Sequence, residues 1–225
     1  TAEAVLTAKQ KELGVAVVNI GSATTSLAIF EEGNILHTAV LPVGAGHITN
    51  DLAIGLKTSV DVAEAVKRDH GQAISDGISK RDEVDLHKYS EDEKKGSYVY
   101  KKDIAEISEA RLEEIFSLIK DELKSINRDG KLPSGIVLTG GGAKMPLIVD
   151  LAKETLELPV FLGMPVDSNF PIDKLNDTEY TTALGLVLWA DKNMESGGNF
   201  LTDISAIGQT TDKMKRWLKS LWPSA

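Results

Sequence analysis

Residues suited to holding an anion gather in three small-residue turns. The run Ile136–Pro146, IVLTGGGAKMP, passes from three apolar residues that read as a buried strand, through Thr139, into Gly140, Gly141 and Gly142. Lys144, Met145 and Pro146 follow, and then the stretch LIVDLAKETL, whose period reads as a helix. A strand that meets a glycine turn and then a helix N-terminus directs backbone N–H groups at an anion. Glycines there permit positive φ and keep Cβ atoms out of a ligand's way. The same pattern also serves as a tight strand–helix turn with no ligand. Far upstream, Gly21–Ser22–Ala23 makes a second turn, followed by the hydroxyls of Thr24 and Thr25. Gly44–Ala45–Gly46, followed by His47, makes a third. Glu64 and Lys67 lie three apart on one helical face, where the plain reading is a solvated ion pair.

The elements that must position these residues follow from the hydrophobic pattern. Thr1–Leu13 reads as a short helix or a tail. Val15–Ile20, Thr24–Phe30 and Ile35–Val43 read as strands, with a hairpin turn over Glu31–Asn34, so the chain opens as a three-strand antiparallel meander. His47–Leu56 is helical, with Ile48, Leu52 and Leu56 on one face. Thr58-x-x-Asp61 has the form of a capping box, and the helix after it carries Val62, Ala63 and Val66 and stops at Gly71. From there the composition shifts. Asp82–Lys95 is charge-rich, VDLHKYS alternates as an exposed strand, and Gly96–Lys101 is a better strand. Asp103-x-x-Glu106 reads as an N-cap pair. The helix behind it, with Leu112, Ile115, Phe116, Ile119, Leu123 and Ile126 at helical spacing, reads as a surface helix on a small sheet. This predicts an α+β subdomain over 62–133, inserted into a body formed by 1–61 and 134–192. Pro159–Leu162 is a further strand, Met164–Asp177 a loop, Tyr180–Trp189 a helix of small residues, and 193–209 a linker.

Composition excludes several classes. The 225 residues carry a formal net charge of -9, which argues against general nucleic-acid binding. There are 0 cysteines, so disulfides and thiolate metal sites are absent. No apolar run is long enough to cross a bilayer. The first residues lack a signal-peptide core and an initiator Met, which points to a fragment of something longer.

The last segment, Thr210–Trp222, is TTDKMKRWLKSLW. Met214, Trp217, Leu218, Leu221 and Trp222 recur at i, i+3, i+4, i+7 and i+8, and Lys213, Lys215, Arg216 and Lys219 fill the other face. A basic face opposite a Trp/Leu face is the pattern of a helix lying in a membrane interface. Each basic residue near an anionic leaflet adds about 1 kcal/mol. The alternatives are a helix docked on the protein's own core and one that fits a partner groove.

Taken together, the blocks carry a family resemblance. VVNIGSATTSLAIF resembles the second phosphate loop of the actin-like ATPases. PVGAGHITNDLAIGL, TSVDVAEAVK and VLTGGGAKMP, in this order and with the amphipathic tail, resemble the FtsA family of bacterial cell-division proteins over about Val15–Trp189. The resemblance implies an α/β fold: the second lobe of an actin-like, ribonuclease H-like ATPase with the inserted subdomain and a C-terminal amphipathic helix over 210–225. It implies that the lobe with the first phosphate loop lies outside this sequence. By family pattern, Gly21, Thr24 and Thr25 approach the phosphates of ATP or ADP with Mg2+, and Gly44 and His47 line the cleft. Glu64 and Lys67 approach the nucleoside. Gly140, Gly141, Gly142, Lys144 and Met145 wrap the nucleotide from the adenosine side.

Four positions depart from that pattern. The family loop holds Asp where this chain has Asn19, and a second Asp where it has Ser26; Ser22 and Ala23 replace glycines. An Asp beside the phosphates holds metal-bound water by its charge, which Asn does not supply. Weak or absent hydrolysis is therefore expected. The resemblance implies an adaptor that polymerises in the actin manner and tethers FtsZ filaments, through the FtsZ C-terminal peptide, to the cytoplasmic face of the inner membrane at the division site. It would help to recruit the septum machinery there. The other readings are a pilus-assembly relative of the PilM type, recruited by protein contacts, and an ATPase or sugar kinase of the same superfamily. The basic tail sets both apart.

Overall fold

The computed structural model describes residues 1–165 and 175–195. The expected tail over 210–225, with Lys213–Trp222, most of the linker and the middle of the Met164–Asp177 loop lie outside the described residues. Contacts divide the chain into a unit over 1–185 and a second over 186–225.

The first unit is built on a five-stranded sheet. Strands β1 (Val15–Ile20), β2 (Thr25–Glu31) and β3 (Asn34–Leu41) form the expected antiparallel meander. The β2–β3 turn is two residues long, and Glu32 and Gly33 both have positive φ, 51° and 75°. Such a turn matches the twist of the strands it joins. Strands β6 (Ile136–Thr139) and β7 (Val160–Leu162) add in parallel on the other side of β1, so the order is β3-β2-β1-β6-β7. The two inner strands β1 and β6 are near-continuous apolar runs, as expected of parallel strands covered on both faces. In register, Asn19 lies opposite Thr139. The residues that follow, Ile20–Gly21 and Gly140, therefore leave the sheet side by side at the same end.

Helices α3 (Ala45–Leu56), α4 (Val60–His70), α5 (Lys101–Ser125) and α6 (Ile148–Leu156) share one hydrophobic cluster with the sheet. Short helices α1 (Ala2–Val5) and α2 (Ala8–Leu13) precede β1, and α7 (Thr181–Glu195) closes the described chain. Strands β4 (Glu83–Asp85) and β5 (Tyr98–Tyr100) form a separate antiparallel pair.

Four local expectations are corrected. Helix α4 is capped by Ser59, whose hydroxyl accepts from Val62 N–H at 3.3 Å, whereas Thr58 donates to Glu93. Helix α5 starts at Lys101, directly out of β5, and Asp103 sits in its first turn instead of capping it. The stretch VDLHKYS is strand only at its start, because Asp85 Oδ1 accepts from His87 N–H at 3.1 Å and closes a 3-10 turn over Leu86–Lys88. Helix α5 is no surface helix on a small sheet: Leu112, Ile115, Phe116, Ile119 and Leu123 are 0% exposed and pack with α3 and α6. Residues of the 62–133 segment, among them Val62, Val66 and the α5 stripe, share the hydrophobic cluster with the sheet. The segment that stands apart as its own sheet is the β4–β5 pair.

Candidate functional site

The sheet edge where β1 and β6 end opens into a cleft of about 580 Å³. It is lined by Gly21 and Ser22 after β1, by Ala45 and Gly46 of α3, and by Glu64, Lys67 and Arg68 of α4. Gly141, Gly142, Lys144, Met145, Pro146 and Glu179 complete it. A crevice beyond the carboxyl ends of parallel strands is the usual ligand position in α/β sheets. The two distant turns therefore face one space. The helix N-terminus in that lining belongs to α3; the first turn of α6 is outside it.

Contacts within the chain explain most of the glycines. Gly140 has φ of +89° and ψ of 171°, and a Cβ there would lie 2.3 Å from Asn19 Oδ1 and 2.5 Å from Ile20 O. A Cβ at Gly142 would lie 2.4 Å from Ile20 Cγ2. At Gly141 the nearest atom is 3.7 Å away, on Glu179. Thus Gly140 and Gly142 let the second turn press against the end of β1, and Gly141 alone of the three would hold a Cβ at ordinary van der Waals distance, against Glu179. As the first residues of a 3-10 turn, Gly141 and Gly142 have N–H groups with no acceptor inside that turn.

Threonines hold the turn from behind. Gly140 N–H donates to Thr178 O at 3.1 Å, and the Thr178 hydroxyl donates back to Gly140 O at 3.0 Å. Thr139 Oγ1 lies 2.8 Å from Thr181 Oγ1, in full burial. Lys144 Nζ meets Asp177 at 2.9 Å and Glu179 at 3.5 Å. The bond to Asp177 pushes the Lys144 ammonium above its ordinary range, and the same bond holds the Asp177 carboxyl below its own.

The first turn is clamped to α3. Ala45 N–H donates to Gly21 O and Gly46 N–H to Ser22 O, both at 2.8 Å. Those two amides of the α3 N-terminus are thereby committed to protein. Gly44 N–H donates to His47 Nδ1 at 3.1 Å, so Gly44 and His47 cap the helix and stand outside the cleft lining. Thr24 is exposed at the loop, Thr25 is fully buried with no hydrogen-bond partner for its hydroxyl, and neither lines the cleft. Gly140 also lies behind the lining.

On α4, Glu64 and Lys67 form more than a solvated pair. Lys67 Nζ bonds Glu64 Oε2 at 2.6 Å and reaches across to α3. Burial works to raise the Glu64 carboxyl, but bonds from Lys67, Thr49 and Arg68 outweigh it and hold the group below its ordinary range. Asn19 and Ser26 are direct cross-strand partners. Asn19 Nδ2 donates to Thr182 Oγ1 at 3.2 Å, and neither residue lines the cleft. The sequence reading missed Ser22, Ala45, Gly46, Arg68, Pro146 and Glu179 as lining residues. Arg68 was detectable, since it lies four residues after Glu64 on the same face; no spacing signal points to Glu179.

The site fits a nucleoside phosphate on three counts. Its volume is within the range of small-ligand sites. It has Gly141 in its lining, where a Cβ would meet no atom closer than 3.7 Å, and it has three cations, Lys67, Arg68 and Lys144, in its wall. Among the described residues, no cluster of three or more His, Cys, Asp or Glu side chains is placed to hold a metal. No helix among them is long and apolar enough to cross a membrane.

Comparison with known proteins agrees with this architecture. The family model for cell division protein FtsA matches residues 16–185. The cell division protein FtsA of Pseudomonas aeruginosa is 33% identical over 97% of this chain and 54% of its own length. The chain spans about half the length of the curated relatives it matches. Among solved structures, MreB 5 of Spiroplasma citri bound to AMPPNP aligns with a TM-score of 0.63 at 20% identity, covering 84% of this chain and 57% of that one. The PilM-PilN type IV pilus biogenesis complex aligns at 0.57 and 21% identity, covering 80% and 47%. These structures establish the actin-like fold.

Proposed function

The chain belongs to the FtsA family of cell division proteins, and from that premise we propose that it is the nucleotide-binding lobe of a membrane-tethered, actin-like division adaptor. The observation that carries this reading is the single cleft onto which the turns at Gly21 and Gly141 both open, with Lys67, Arg68 and Lys144 in its wall. Its ligand is ATP or ADP. Mg2+ would accompany the nucleotide and neutralise phosphate charge, and among the described residues no cluster of three or more His, Cys, Asp or Glu side chains is placed to hold it. The nucleotide supplies the anion; the chain's part is to bind and orient it. Gly141 and Gly142 present N–H groups, and Lys144, released from Asp177 and Glu179, is the cation on that side.

Hydrolysis is weak or absent in this reading. Asn19 and Ser26 bring no negative charge to orient a metal-bound water, and the Asn19 amide is already engaged with Thr182. The output is instead assembly: filaments of the actin type, capture of the FtsZ C-terminal peptide, and attachment to the cytoplasmic face of the inner membrane at the division site. What supports the attachment is the sequence pattern of Lys213, Met214, Lys215, Arg216, Trp217, Leu218, Lys219, Leu221 and Trp222.

Co-sedimentation of the chain, and of a form ending at Gln209, with vesicles of anionic and of neutral lipid tests the reading. The full chain should pellet with anionic vesicles, less so as salt rises, and the truncated form should stay in solution. Equal pelleting of both forms would refute the tether.

A further inference from the structure

On the glycine side of the cleft, the charged residues in the lining are Lys144 and Glu179. Lys144 Nζ lies 2.9 Å from Asp177 Oδ2 and 3.5 Å from Glu179 Oε1. Two carboxylates against one ammonium leave this wall net negative. Glu179 also stands against the glycine turn. A Cβ at Gly141 would have Glu179 Cγ and Oε1 as its nearest neighbours, both at 3.7 Å. The acid thus lies beside the turn whose Gly141 and Gly142 N–H groups have no acceptor within it. A phosphate drawn to those donors and to Lys144 meets a like charge there.

The backbone that carries Glu179 is pinned on both sides. Thr178 exchanges two hydrogen bonds with Gly140, and the Thr181 hydroxyl donates to Thr178 O at 2.9 Å. Asp177 Oδ1 accepts from Glu179 N–H at 3.1 Å. The segment cannot draw away from the glycine turn without breaking these bonds. The side chains are freer: Lys144 is 45% and Glu179 46% exposed, and an ion pair at that exposure holds weakly. Rotation of the Glu179 side chain clears the acid from the turn with the backbone left in place.

We propose that Glu179 is a built-in competitor of the nucleotide: in the empty cleft its carboxylate shares Lys144 and stands in for the incoming anion beside Gly141, and it swings out when phosphate binds. This rests on the nucleotide reading and adds to it an internal limit on affinity. Calorimetric titration of the 225-residue chain and of its Glu179→Gln variant, with ATP and with adenosine, tests it. Glu179→Gln keeps the size of the side chain and removes its charge. ATP therefore binds the variant about three- to fivefold more tightly, the range of an exposed ion pair, and the melting temperature is unchanged. Adenosine, which carries no phosphate, shows no such gain. Glu179→Ser repeats the gain for ATP. Glu179→Gln binding ATP no more tightly than the parent overturns the inference. Weaker binding also overturns it, because the carboxylate would then be a contact of the ligand. So does an equal gain for adenosine, which would make the effect one of space and not of charge. If parent and variant both take up no ATP, the nucleotide reading itself is overturned and the competitor falls with it; uptake by the variant alone supports both.

Discussion

Alanine at each of the three consecutive glycines should give three different outcomes. At Gly140 the new Cβ would sit 2.5 Å from the Ile20 carbonyl oxygen, a backbone atom that shifts only if β1 shifts. The φ of +89° with ψ of 171° is also a conformation that only glycine adopts readily, at a cost of about 1–3 kcal/mol for other residues. With overpacking of about 1–3 kcal/mol added, Gly140→Ala loses on the order of 2–6 kcal/mol. At Gly142 the overlap is with Ile20 Cγ2 at 2.4 Å and Ala45 Cβ at 3.1 Å. The overpacking cost of about 1–3 kcal/mol stands alone there. At Gly141 the nearest atom is 3.7 Å away and φ is not positive, so stability changes by no more than about 0.5 kcal/mol. Urea denaturation measures the series through the shift in midpoint at constant slope. Nucleotide titration should show the opposite selectivity, because the methyl of Gly141→Ala enters the open part of the cleft. A Gly141→Ala protein destabilised as much as Gly140→Ala would refute the division of labour among the three glycines.

Two other perturbations probe the core and the cleft wall. Phe116→Ala empties a site that is 0% exposed in the middle of α5, and should cost about 3–5 kcal/mol in the main unfolding transition. Loss confined to a separate, minor transition would instead make α5 part of an independent subdomain. Glu64 has a folded-state value depressed below its ordinary 4.5, so its contribution is fully present above pH 4.5 and is lost as pH falls through the lower folded value. The group is 36% exposed, so solvent limits the effect to about 1 kcal/mol or less. Glu64→Gln should therefore lie below the parent in stability at pH 6 and converge with it in acid; a gap that widens below pH 4 contradicts the network drawn around Lys67.

The meander and the strand before the glycines were legible because their signal is local. Alternation marks β2, and near-continuous apolar runs mark β1 and β6. The role of α5 was not legible for a physical reason. Its stripe of Leu112, Ile115, Phe116, Ile119 and Leu123 says which face is buried, and it reads the same whether the cover is a two-stranded sheet or α3 and α6. Capping positions slipped for a related reason: Thr58 and Asp103 have the right chemistry, but Ser59 is nearer the turn and Tyr100 runs from strand straight into helix. Lys67 looked solvated because two of its acceptors, Ala45 and Thr49, come from another helix.

The glycine run shows the same limit from the ligand's side. Spacing alone leaves the three glycines open between a bound anion and a tight turn with no ligand. Two of them are accounted for by Asn19, Ile20 and Ala45, atoms of the chain itself. The two turns have to touch before they can frame a cleft, so the closeness that brings them together uses up Gly140 and Gly142. It also uses up the Ala45 and Gly46 amides on the carbonyls of the first turn. What is left to meet a ligand is a smaller set: Gly141, the N–H pair of that turn, Lys144 once it leaves Asp177, and the α4 side chains in the wall. Substitutions that damage the clamp and substitutions that damage binding thus fall on neighbouring residues, and only paired measurements of stability and affinity tell them apart.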